Sequence, residues 1–105
     1  MKLTIDQALL KAVELHQEGK LQVAEGLYKA ILQIQPKHPD ANHNLGVLAV
    51  SLNNRVAALS LFKTALEVSP NEGQFWISYI DALINEKQLE NASNAILKAK
   101  KAGLS

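Results

Sequence analysis

The chain reads as an all-α protein, an α-solenoid built from three helix-turn-helix units. Three observations carry this reading. Pro36 and Pro70 stand 34 residues apart, and Ala24, Ala58 and Ala92 keep the same interval. At one offset the second half of each unit carries a large apolar residue, Tyr28, Phe62 and Ile96, followed three positions later by Ile31, Ala65 and Ala99. The segments before the prolines also agree in type, Leu32-Gln33-Ile34-Gln35 and Leu66-Glu67-Val68-Ser69. Such a period belongs to arrays whose units are too small to bury their own apolar face and must stack on their neighbours. The units are residues 5–38, 39–72 and 73–105, behind a short lead, all in one domain.

Each expected helix has its own start or stop signal. Thr4-Ile5-Asp6-Gln7 fits a capping box, so the first helix spans residues 5–18, and Gly19 ends it because glycine takes the left-handed turn at little cost. The matching residues in the later units are Asn53 and Lys87. Helix two covers residues 21–35, stopped by Pro36 and Pro39. Pro39 then opens helix three, residues 39–52, in the first turn where a missing N–H costs nothing. Helix four is expected over 56–68. Helix five is expected over 72–85 with Ser69 or Asn71 as its cap, and helix six over 89–102, before Gly103. Small residues, Ala12 and Gly46 in first helices and Ala24, Ala58 and Ala92 in second ones, permit close packing, and Tyr28, Phe62 and Ile96 fill the space beside them.

Composition narrows the function classes. There is no cysteine, which excludes disulfides, thiolate metal sites and thiol nucleophiles. With 11 basic and 10 acidic side chains the net charge is +1, which argues against nucleic acid as the principal partner. Asp6, Lys11 and Glu14 interrupt the N-terminal segment, unlike a signal peptide, and no apolar run approaches the ~18 residues needed to span a bilayer. The expected location is the cytoplasm, with no membrane insertion. No serine stands in a nucleophile elbow and no glycine-rich phosphate loop occurs, so neither catalysis nor a cofactor is expected. His16, His38 and His43 lack the spacing of a metal site.

The middle unit resembles the tetratricopeptide repeat (TPR) family, with Leu45-Gly46, Ala58, Phe62, Ala65 and Pro70 in that family's signature places. The first unit keeps Ala12, Gly19, Ala24, Tyr28 and Pro36. The third keeps Trp76, Ala92 and Ala99 but has Tyr79-Ile80 for Leu-Gly and Leu104 in place of the proline. The resemblance implies a right-handed superhelical stack whose concave face is lined by the first helix of each unit. It implies a non-catalytic interaction module that binds a protein, as a peptide or helix, in this groove. The candidate groove residues are Leu9, Val13, His43, Asn44, Val47, Val50, Ile77, Asp81 and Ile84. Their apolar stripe would be buried by an amphipathic helix at about 25 cal/mol per Å².

Two known binding modes of the family find little support. A carboxylate clamp of lysines, an arginine and asparagines keeps only Asn44, since Leu9, Val13, Gln74 and Ser78 stand in its other places. An asparagine ladder like that of O-linked sugar transferases has one rung, Asn44, with Leu10 and Ser78 at the other places. The run from Ala24 through Ala41 is similar to repeats found in N-terminal modules of bacterial glycosyl- and sulfo-transferases. Two alternatives to a ligand groove therefore stand: a homodimerising scaffold, or an accessory N-terminal domain of a larger transferase.

The outward faces set a further expectation. Leu27, Leu32 and Ile34, then Leu59, Leu61, Leu66 and Val68, should pack on the following unit. The third unit has Ser93, Ala95, Lys100 and Ala102 there, so no fourth unit should be buried and stacking should stop. Lys98, Lys100 and Lys101 read as a solvated helix end.

Overall fold

A computed structural model describes residues 3–104, which form α1 (Ile5–Gln17), α2 (Leu21–Ile34), α3 (Pro39–Ser51), α4 (Arg55–Val68), α5 (Gly73–Asn85) and α6 (Leu89–Lys101). The body measures 46 × 26 × 20 Å. Among the described residues no helix is long and apolar enough to cross a membrane.

The boundaries follow local chemistry. Thr4 and Gln7 close the capping box: the Gln7 amide donates to Thr4 Oγ1 at 3.1 Å and the Thr4 amide to Gln7 Oε1 at 2.9 Å. Four helices end alike, with Gly19, Asn53, Lys87 and Gly103 in the left-handed region at φ 82°, 66°, 61° and 94°. In each case the next amide donates back five residues, to Leu15, Ala49, Leu83 and Ala99. The Ala41 amide donates to His38 Nδ1, so His38 caps α3, and Asn54 accepts from Ala57 at the start of α4. Neither Ser69 nor Asn71 caps α5. The cap position is Glu72, without a side-chain bond, because the helix starts one residue later than expected.

The repeat extends to its hydrogen bonds. Asn42 Nδ2 donates to the Pro36 carbonyl at 3.1 Å, and Trp76 Nε1, 34 residues on, donates to the Pro70 carbonyl at 2.6 Å. Each bond ties the first helix of a unit to the turn before it.

Every apolar cluster crosses a unit boundary. Ala12, Leu15, Ala24 and Tyr28 of the first unit join Leu45 and Leu48 of the second. Ala49, Ala58 and Phe62 join Ala82, and Ala65 and Leu66 join Phe75, Trp76, Leu83 and Ala92. Among the described residues no contact links the first unit to the third.

Several outward residues sit differently from expectation. Ile34 and Val68 are exposed at the helix ends, and Leu61 joins the first cluster instead of facing the third unit. Ala95 is buried in the last cluster. Ile96 does not fill the place held by Tyr28 and Phe62. Those two rings are 0% and 1% exposed whereas Ile96 is 43% exposed, because Ile80 stands where Ala12 and Gly46 leave room for them.

Candidate functional site

Contacts identify the inner side of the stack. α1 touches α3 and α3 touches α5, whereas the second helices α2, α4 and α6 do not touch one another. In a curved row the members that meet lie at the smaller radius, so the first helices form the concave face.

The nine candidate groove residues lie on these helices but not in one cleft. Val47, Val50 and Asp81 line a pocket of about 260 Å³ between α3 and α5, together with Ser51, Arg55, Phe62, Ser78, Ala82 and Asn85. Val47 and Val50 are half-buried against Ala49 and Phe62. Leu9 and Val13 are half-buried on α1, with Leu9 packed on the first cluster. Asn44 is half-buried, and Ile84 is exposed outside this pocket. Ile77, 55% exposed, belongs to a second cleft at the end of the stack.

His43 does not face the groove. Its side chain is buried between the second and third units, stacked on Phe75 at 4.6 Å and tilted against Phe62 at 5.5 Å. Nε2 lies 2.7 Å from Ser78 Oγ and Nδ1 lies 3.3 Å from Asn44 Oδ1. A neutral imidazole donating to Asn44 and accepting from the serine hydroxyl satisfies both bonds. Burial holds the His43 pKa below its ordinary value, against the opposing effects of Asn44, Asp40 and Glu72. The other histidines are also accounted for within the fold, His38 as a cap and His16 with Nδ1 3.4 Å from the buried Tyr28 hydroxyl.

Arg55 was not among the expected site residues. It opens α4 at the position held by Leu21 and Leu89 in the other units, and it is the chain's sole arginine. Its Nε is buried without a hydrogen-bond partner. A buried donor left unsatisfied costs about 1–3 kcal/mol. Comparing the three helix starts would have exposed this departure.

The second cleft, about 430 Å³, lies between α5 and α6 and is lined by Trp76, Ile77, Ile80, Ile96, Ala99 and Leu104 among others. The last unit therefore presents an apolar side, contrary to the expectation of a polar outer face. Leu9 and His43, equivalents of Ile77, are covered in part by the following first helix, and no described helix does this for Ile77.

Residues 39–72, the whole middle unit, match the family model described as a tetratricopeptide repeat. Units with the same helix boundaries and left-handed stops flank it. The middle unit is a tetratricopeptide repeat. Solved structures share this TPR fold. A MamA mutant matches with a TM-score of 0.80 and 23% identity over 93% of this chain and 72% of that one. A mutant of the Thermobaculum terrenum O-GlcNAc transferase matches with a TM-score of 0.83 and 24% identity, over 97% of this chain but 20% of that one. The Yersinia enterocolitica type III secretion chaperone SycD, in complex with a peptide of the translocator YopD, matches with a TM-score of 0.85 and 17% identity, over 97% of this chain and 78% of that one. The chain thus spans a fifth of the transferase's length.

Proposed function

We propose that this chain is a non-catalytic interaction module that seats a peptide or amphipathic helix along the concave face, centred on Val47, Val50 and Asp81. The observation that carries this reading is the pocket between α3 and α5. It lies on the inner side, combines an apolar wall of Val47, Val50, Phe62 and Ala82 with polar side chains, and at about 260 Å³ is sized for one or two side chains, below the ~300–1,000 Å³ of small-molecule sites. Leu9, Val13, Asn44 and Ile84 extend the track along the same face. SycD, of the same fold, holds a peptide. The cytoplasm is the proposed setting.

The test is capture of binding partners by the parent chain and by two single variants, Val47→Glu and Ile77→Glu, all with unchanged helical circular dichroism. Val47→Glu places a charge in the inner pocket and should abolish capture, while Ile77→Glu, in the end cleft, should spare it. Capture unaffected by Val47→Glu overturns the site.

The end cleft favours one second reading, self-association of two copies through Ile77, Ile80 and Ile96. Sedimentation then shows a concentration-dependent dimer that Ile77→Glu dissolves, and a monomer at all concentrations excludes it. An accessory role beside a transferase domain has the fold likeness as its support, and activity of the full gene product with and without these residues tests it.

A further inference from the structure

We propose that Arg55 is the specificity-determining residue of the inner pocket and selects a carboxylate borne next to an aliphatic side chain in the bound peptide. This deepens, and rests on, the groove reading above. Nothing in α4 itself explains an arginine at this place: a cation in a first turn opposes the helix dipole, and the equivalent residues in the other units are leucines. Among the described residues no ion pair joins Arg55 to Asp81 or to another carboxylate. Its buried Nε–H has no acceptor, yet the side chain lines a cavity whose walls include Val47, Val50 and Phe62. A planar guanidinium with an unused donor beside an aliphatic wall matches a ligand carrying a carboxylate and an aliphatic group together. Asp81, on the α5 side, would exclude ligands with a second acid beside the first.

Because Arg55 is the sole arginine, its Nε–H gives one unambiguous NMR signal in the full ¹⁵N-labelled chain. Three probes are titrated: N-acetyl-L-leucine for a chain-terminal carboxylate, N-acetyl-L-glutamyl-L-leucinamide for a side-chain carboxylate, and neutral N-acetyl-L-leucinamide. The acids should move the signal saturably, with dissociation constants on the order of millimolar for ligands of this size. The tighter acid identifies which carboxylate is read. The amide should bind about tenfold more weakly, the loss of one charge-assisted hydrogen bond. Arg55→Leu, which restores the residue of the other units and should fold, must erase the preference for acid over amide, read on the Val47 and Val50 methyl signals.

Equal binding of acids and amide, or acids that leave the Arg55 signal unmoved, overturns the proposal. So does an Arg55 signal that responds to Asp81→Asn but to neither acid, which would show the pocket closed by an internal pair. If the amide moves the valine methyls while no acid is preferred, the groove reading survives and only the carboxylate specificity falls. Loss of the groove reading itself is registered separately, by unchanged partner capture with Val47→Glu.

Discussion

At Gly46 a methyl group would come within 2.5 Å of the Phe62 ring, whereas at Gly26, midway along α2, it would meet nothing within 4 Å. Alanine is favoured over glycine in a helix by about 1 kcal/mol, but overpacking costs about 1–3 kcal/mol. Gly26→Ala should therefore raise stability in urea by about 0.5–1 kcal/mol and Gly46→Ala should lower it by about 1–2 kcal/mol; the same sign for both would contradict the packing described. The repeat comparison made Gly46 and Phe62 legible as partners, since both fall on signature places of one unit.

His43 was legible only as a residue of a first helix. Its burial depends on Phe75 and Ser78, contributed by the next unit, and no local pattern reports them. Because the folded pKa lies below the unfolded value of about 6.5, the unfolded chain binds more protons as pH falls. The stabilising effect is complete above that value and is lost as pH falls from it through the folded pKa, with a slope of at most about 1.4 kcal/mol per pH unit. His43→Leu, the residue found at position 9, should flatten the dependence of Tm on pH between about 7 and 5. An undiminished slope would assign it to another group.

At the scale of the elements, helix ends were the most legible feature, because each stop is decided within a few residues. Gly19 with its repeat equivalents Asn53 and Lys87, and Gly103 after the last helix, were identified as stops from the sequence, and all four adopt the left-handed conformation. Lys87 is the costly member, since its Cβ crowds the backbone carbonyl in the left-handed region and lysine lacks the short polar side chain that lets asparagine offset this. Lys87→Gly should stabilise the chain by about 0.5–1 kcal/mol in denaturant titration, net of the greater freedom glycine has when unfolded, while Gly19→Lys should destabilise it by a similar amount. The start of α5 was less legible: Ser69 and Asn71 are both good caps by type, but the chain reaches helical geometry only after Glu72. Surface ion pairs contribute little, as Lys11–Glu14, Lys20–Glu18 and Lys29–Glu25 join largely exposed side chains.

Across the whole molecule, stability resides between units, since each apolar cluster draws on two of them. Stacking was legible from the period. What it leaves uncovered was not, because exposure at Ile77 and Ile96 depends on what lies beyond α5 and α6, and the inner pocket needs Arg55 from a second helix. The sole tryptophan, Trp76, reports on the third unit. His43→Ala removes the stacked ring and its hydrogen bond at the junction, at a cost of about 2–4 kcal/mol. Tryptophan fluorescence should then change at lower denaturant than the helical signal, while the two coincide in the parent chain. Coincident transitions in the variant would mean that the third unit does not depend on this junction.

The claim that the concave face is the working surface is tested most directly by mapping chemical-shift changes as a captured partner is added to the labelled chain. The account predicts that the signals of Val47, Val50, Asp81 and Ala82 on α3 and α5 move first and furthest. Changes confined to the outer helices α2, α4 and α6, with those signals unmoved, would contradict it.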